Sequence, residues 1–387
     1  MTTPPLRNVA GRERLQQLLK RQHSDRIVYA PNYWQWFAHQ QSHGLLPPEI
    51  AHCRSQLDLI RHLELDVFSR NIYCDQQHCW FGGLAEEIWD GIQVGEEERR
   101  EGRDRVIVRT YDTRRGRLTE RLRYVWTNST LVQEVFALDE TPDPLGALEE
   151  LMRARRWRFR AERYAQEQAR VGDDGLLVTG ELFSPLKALH LLAGAVNATY
   201  LIADEEARVQ ELLALHEAAQ LDLVRQMAAA GAPAMMAMDN LDTAFHTPAY
   251  VEKFSASFYE KASSIAHDFG STFFIHACGR QRANLSLVDS LGVDGLEGVA
   301  FPPLGDVELD EALRLTSDRF LITGGISAFQ TRELRTREQV FGYMRDLLDR
   351  LRPVAHRFIL SASCNTAIDA SWETLKHFRD AWQELGE

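Results

Sequence analysis

The chain has 387 residues, 44% of them hydrophobic and 26% charged, with a formal net charge of −12. That is enough apolar material for a large core, and the length suits either two or three domains or one α/β barrel with insertions. The acidic balance argues against a general nucleic-acid-binding role, because phosphate backbones would be repelled. No stretch approaches the roughly 18 apolar residues of a membrane span, and the opening MTTPPLRNVAGRERL carries no signal-peptide core. The five cysteines, Cys53, Cys74, Cys79, Cys278 and Cys364, are an odd and sparse set. They suit metal binding or catalysis in a cytoplasmic protein better than a disulfide framework.

Short runs rich in Val, Ile, Leu and Phe recur along the chain, apolar throughout, as in parallel strands buried on both faces. Eight stand out: DRIVYAPNYW from Asp25, LDVFSRN from Leu65, LLVTGELF from Leu176, AMMAMDN from Ala234, STFFIHACG from Ser271, GLEGVAFPP from Gly295, RFLITGGIS from Arg319 and RFILSASCN from Arg357. Helical patterns separate most of them, one opened by Thr247 and Pro248 as cap and first residue. Eight β-then-α units predict an α/β fold, a (β/α)8 TIM barrel spanning 1–387 as a single domain. An open doubly wound sheet is the alternative, but no GxGxxG follows the first strand.

The rhythm breaks between the second and third strands. Residues 72–170 are expected to be an insertion over the barrel mouth or one flank. VIVRTYDTRRGRLTERLRYVW, Val106 to Trp126, reads as a β-hairpin turning near Arg115 and Gly116. A long arginine-rich helix is expected after it. Its Arg153, Arg155, Arg156, Arg158, Arg160 and Arg163 form either a solvated face or a docking patch for an acidic partner.

A barrel of this kind holds its active site at the C-terminal ends of the strands. Those ends carry Asn32, Tyr33 and Trp34; Arg70 and Asn71; Glu181; Asp239 and Asn240, with His246 in the following loop; His276 and Cys278; and Cys364. Any one of these could simply cap a following helix. His276 and Cys278 are two residues apart on a strand and so point the same way, and Cys364 ends the eighth strand at the same height. One imidazole and two thiolates form a zinc set that leaves a fourth position open to water or substrate. Cys74, His78 and Cys79, in CDQQHC, are a competing cluster. They sit in a loop, and adjacent His-Cys side chains diverge in an extended chain. Glu181 and Asp239 could serve as a fourth ligand, a general acid or a substrate partner, or could cap helices.

The strand ending His276-Ala277-Cys278-Gly279, followed far along the chain by ILSASCNTA around Cys364, resembles the uroporphyrinogen decarboxylase superfamily, and more closely its zinc- and corrinoid-dependent methyltransferase branch. RERLQQLLKRQHSDRIVYAP is similar to the opening helix and first strand of that superfamily, GELFSPLKALHLLAG to its third-strand turn and LITGGIS to its penultimate strand. The likeness runs from about Arg12 to the end. It implies a TIM barrel, zinc on His276, Cys278 and Cys364, and a corrinoid (cobalamin) cofactor. The corrinoid would be free or carried by a partner protein, since the chain has no DxHxxG segment of its own. The decarboxylase branch carries an arginine-rich segment after the first strand, and here that region reads NYWQWFAHQQ. The expectation is therefore a methyltransferase acting between a methoxy or methylthio substrate, or a thiol, and the corrinoid. Asn32, Tyr33, Trp34, Arg70, Asn71, Asn240 and His246 are its candidate substrate contacts. A metal-free decarboxylase on the same barrel is the alternative.

Overall fold

A computed structural model describes residues 9–73 and 83–386. Cys74, His78 and Cys79 lie outside the described residues. The chain lays down β1 (Val67–Ser69) and β2 (Ala85–Trp89), then an antiparallel meander of β3 (Gln93–Glu101), β4 (Asp104–Thr113), β5 (Gly116–Val125) and β6 (Thr130–Val135). β7 (Arg155–Phe159) turns back to pair with β2. From there strands alternate with helices: β8 (Gly175–Leu182), β9 (Ala234–Ala237), β10 (Thr272–His276), β11 (Gly295–Val299), β12 (Leu321–Ile326) and β13 (Phe358–Ala362).

β1 and β8 to β13 form one curled parallel sheet in chain order. The expected first strand is reduced to a single bridge, Tyr29 to Leu360. Residues 28–30 still fill the gap. Leu360 donates to the Val28 carbonyl, Ala30 donates to Leu360, and Asp66 donates to Tyr29 on the other side. The sheet thereby closes into a ring of eight staves. Pro31 ends the short stave, because proline has no N–H for a ladder. The Tyr29 N–H is instead taken by the Asp66 carboxylate at 3.2 Å.

Two cores follow from the alternation of strand side chains. Val28, Ala30, Phe68, Leu176, Val178, Ala234, Met236, Phe274, Leu321 and Ile359 fill the ring's interior. Leu15 and Leu18 of the helix Gly11–Leu19 plug its lower end. The opposite strand faces pack outward against the helices, for example through Phe273, Ile275, Leu296 and Ile322. The longest helix, Pro185–Ala229, is capped by Ser184 and bent at Gly194 and Glu205. It contains an apolar window long enough to cross a membrane. Here Leu189, Leu212, Leu213, Leu223 and Val224 of that helix are buried in the outer core.

The expected hairpin is the β4–β5 pair, with Thr113 opposite Gly116. The expected arginine-rich helix is not found. A helix ends at Ala154, residues 155–159 form β7, and a new helix starts at Ala161. The reason is a period of two within the run. Arg155, Trp157 and Phe159 are buried while Arg156 and Arg158 are exposed, and alternation stabilises a strand rather than a helix. Several of these arginines are also neutralised. Arg155 pairs with Glu87, Arg158 with Glu86 at 2.6 Å, and Arg153 with Glu149 at 3.0 Å.

A buried ion cluster pins the lower end of the ring. Arg14 donates to Asp25 at 2.8 Å and pairs with Asp66. Burial pushes the Asp66 carboxyl up to about 6 even against the pull of Arg14. Removing the guanidinium would leave two carboxylates facing each other in a dry site. We expect Arg14→Met to lower the unfolding free energy in urea by about 3–5 kcal/mol, the cost of orphaning a buried charge. A change below about 1 kcal/mol would mean that the pair behaves as a surface ion pair.

Candidate metal centre

The interior positions of the strands continue upward with the same parity. Beyond Phe68 comes Arg70, beyond Met236 come Met238 and Asn240, and beyond Phe274 come His276 and Cys278. These residues meet in a cavity of about 180 Å³ at the C-terminal end of the ring. Trp34, Asn71, Thr130, Lys187, Cys364 and Asn365 complete its lining. Thr130 begins β6, so the antiparallel insertion reaches the mouth. It is held there by the helix Trp34–Ser42: Gln35 donates to the Ser129 carbonyl at 3.0 Å and His39 meets the Ser129 hydroxyl at 2.8 Å.

His276, Cys278 and Cys364 present donor atoms that all lie within 4.8 Å of one another. Cys278 Sγ is 3.4 Å and Cys364 Sγ 3.8 Å from His276 Nε2. A tetrahedral zinc with ordinary Zn–S and Zn–N bonds separates sulfur from nitrogen by about 3.5 Å, close to both sulfur–nitrogen separations here. The hydrogen bond from Cys278 holds Cys364 well below the usual thiol range and pushes Cys278 above it. A cation at this point would displace the remaining thiol proton and be held by two thiolates.

The imidazole is oriented by a residue outside the expected set. In the parallel register His276 lies beside Glu297 of β11, and both side chains face inward. Glu297 Oε2 accepts from His276 Nδ1, which turns Nε2 toward the sulfurs. Arg70 Nε lies 3.5 Å from the same oxygen. Burial alone would raise the Glu297 carboxyl, but His276 and Arg70 bring it down to about 2. Burial would lower His276, and the Glu297 carboxylate reverses that and raises it. This carboxylate–imidazole arrangement fixes the tautomer that a metal-binding histidine needs.

Two glycines make the geometry possible. Gly298 has φ +90°, and a Cβ there would lie 2.7 Å from the Ala277 carbonyl and 3.3 Å from the His276 ring. The β11–β12 register shifts at this point, a bulge that brings β11 against the imidazole. Gly279, at φ +86°, turns the chain just after Cys278, where a Cβ would strike the Asp242 carboxylate at 1.8 Å. Cys364 itself sits at φ +129° and Asn240 at +50°, strained conformations of the kind that cluster at functional sites.

Residues 148–385 match the family model described as Uroporphyrinogen decarboxylase (URO-D), which is more than half of the chain. The chain belongs to the URO-D family. A methyltransferase from Methanosarcina mazei superposes with a TM-score of 0.56 at 14% identity, covering 97% of this chain and 99% of that one. At that identity the likeness concerns the fold alone. A D-psicose 3-epimerase from Clostridium cellulolyticum H10, solved with D-tagatose, reaches only 0.30 at 8% identity over 58% of this chain and 82% of that one. No curated protein matches the chain.

On this family barrel the expected substrate contacts divide. Trp34, Arg70, Asn71 and Asn240 line the cavity with the three candidate ligands, and Asn240 Oδ1 lies 3.5 Å from Cys278 Sγ. Asn32 stands behind it and donates to the Cys364 carbonyl at 2.9 Å. Tyr33 is buried against Tyr29, with hydroxyls 3.2 Å apart. His246 is buried beside His190, ring centroids 5.2 Å apart, and does not line the cavity. The two carboxylates have the opposite parity. Gly180 faces Arg70 and Met238, so Glu181 faces away, accepting from Tyr73 Oη at 3.1 Å and Leu84 N at 3.0 Å. Asp239, next to inward-facing Met238, accepts from Ser184 N at 2.9 Å and from Tyr259 Oη.

Strand-end counting passes over Glu297, which stands behind His276, and Lys187, Met238, Thr130 and Asn365 of the cavity lining. Glu297→Gln keeps the shape but removes the charge that holds the imidazole. The variant is expected to bind zinc about 10–100-fold more weakly in chelator competition, as for other partners of metal-bound histidine. Unchanged affinity would mean that His276 is oriented by packing alone.

Proposed function

We propose that this chain is a zinc-dependent methyltransferase, moving a methyl group between a small methoxy or methylthio compound, or a thiol, and a corrinoid. The observation that carries the reading is the His276, Cys278 and Cys364 donor set, at zinc spacing and open on one side to a cavity. When bound, zinc would act as a Lewis acid on the heteroatom that gives up or receives the methyl, and a corrinoid on a partner protein or free in solution would carry that methyl.

The chain's own groups have definable tasks. Glu297 and Arg70 hold the imidazole in one orientation. Trp34, Met238 and Thr130 form the wall against which an apolar methyl-bearing group packs and from which water is excluded. Asn240 and Asn365 present amides to the polar end of a substrate. Glu181 and Asp239 hold the segments around Leu84 and Ser184, and so act as positioning residues. A porphyrinogen decarboxylase reading finds less support. Arg70, the only arginine among the described residues that line the cavity, is committed to Glu297, and a volume of about 180 Å³ falls below the roughly 300–1,000 Å³ usual for larger organic ligands.

The test is optical. Zinc-loaded protein should consume methylcobalamin in the presence of a thiol, or form it from cob(I)alamin and a methoxy or methylthio compound. Cys278→Ser should do neither. In the same assay Asp239→Asn should stay within about tenfold of the parent per folded molecule, since a proton-transfer role would cost roughly 10²–10⁴-fold. A zinc-loaded protein that ignores corrinoid in both directions, yet decarboxylates a porphyrinogen, would overturn the reading.

A further inference from the structure

A second cavity, of about 430 Å³, lies between the inner face of the antiparallel insertion and the barrel. Among the described residues, its lining and that of the metal-centre cavity have none in common. The two cavities stand on opposite sides of β6. Thr130 lines the metal-centre cavity, while Leu131 and Gln133, of the other parity, line the second. The helix Pro185–Ala229 also serves both, through Lys187 in one and Leu191 and Leu192 in the other. Protein interiors pack closely, and a void of this size between two layers costs stability. Its volume falls in the range of roughly 300–1,000 Å³ usual for sites that take small organic molecules.

The walls say what kind of molecule. Leu122 and Leu131 of the insertion, with Leu191 and Leu192 of the helix, supply aliphatic surface. Trp157 and Phe183, ring centroids 5.8 Å apart and nearly perpendicular, supply an aromatic corner. Arg109 and Glu120 also face the cavity, at positions where a sheet that only had to pack would gain from apolar residues. Each charge is already matched. Arg109 pairs with Glu96 at 3.0 Å and lies 3.8 Å from Glu120. Glu120 accepts from Tyr111 Oη at 3.0 Å and Gln133 at 2.9 Å, and Arg155 pairs with Glu87. An occupant with a net charge would therefore lose its water and meet no free counter-ion. Gln133 spends its amide N–H2 on Glu120 and on the Leu191 carbonyl at 2.9 Å, which leaves its amide oxygen to accept from a ligand.

We infer that this second cavity is a binding site for a neutral aromatic molecule that bears one O–H or N–H group. The ring packs into the corner of Trp157 and Phe183 in the edge-to-face manner that aromatic pairs favour. The leucines cover the rest of it, and the donor reaches Gln133. Bound there, the molecule braces β6 from behind and so supports the strand that carries Thr130 into the mouth. The site stands whether or not the metal centre holds zinc.

The experiment compares 2-naphthol, neutral at pH 7, with the 2-naphthoate anion on the same ring, by isothermal titration of the full chain. The parent should take up one 2-naphthol per chain, at least about tenfold tighter than 2-naphthoate, since the anion finds no unpaired cation. Leu122→Trp and Leu191→Trp place an indole in the cavity from opposite walls, at half-buried positions. Each should lose most of the 2-naphthol binding. Cys278→Ser, which removes a candidate metal ligand, should bind 2-naphthol as the parent does. Hydrogen exchange locates the site without any substitution: 2-naphthol should slow exchange in β5 and β6 of the parent. No saturable uptake, equal affinity for the two compounds, binding that survives both tryptophan variants, binding lost in Cys278→Ser, or unchanged exchange in β5 and β6 would each overturn the inference.

Discussion

A carboxylate buried in the mouth of a barrel must be matched by positive charge, and the arrangement of this site is organised around how Glu297 is matched. Its two partners are His276 on the neighbouring strand and Arg70 across the ring. Meeting Glu297 fixes the imidazole tautomer, and the tautomer decides which nitrogen faces the two sulfurs. The same contact removes Arg70 from the cavity's free charge. The close approach depends on Gly298, since any side chain there would push β11 off the Ala277 carbonyl. One buried ion cluster thus links the sheet register, the orientation of the candidate ligands and the polarity of the cavity.

The scaffold explains why that cluster can be held rigidly. Apolar side chains fill the ring beneath it, the helix Gly11–Leu19 closes the bottom, and an outer layer of helices covers the other strand faces. The antiparallel insertion adds a roof rather than a second core. It touches the mouth through Ser129 and Thr130 and is tied to the helix that carries Trp34. Substrate would therefore meet residues from both the ring and the roof.

Much of this was legible in the sequence, for reasons tied to particular residues. Seven apolar runs became ring strands because strands buried on both faces tolerate little else. His276 and Cys278 could be paired from their spacing of two, and Cys364 from its place at the end of the last strand. Parity was the information that position along a strand did not carry. Glu181 and Asp239 end their strands at the right height, but each is one residue out of phase with the interior and so faces outward. The arginine-rich run contained a period of two in RRWRF that a count of arginines hides. Glu297 left a trace, since a lone carboxylate inside GLEGV is costly unless it is paired. Lys187 left none, because a lysine in the first turn of a helix usually faces water, and the curvature of the ring that aims this one inward is a property of the whole sheet.

Everything proposed for this site depends on His276, Cys278 and Cys364 holding one zinc ion together. Zinc-edge X-ray absorption on protein purified without chelators tests it most directly. One zinc per chain is expected, with two sulfur scatterers at about 2.3 Å, an imidazole nitrogen at about 2.0 Å and a light atom in the fourth position. A zinc shell made of oxygen and nitrogen only, or a sulfur-containing shell that persists unchanged in the Cys278→Ser, Cys364→Ser double variant, would contradict it.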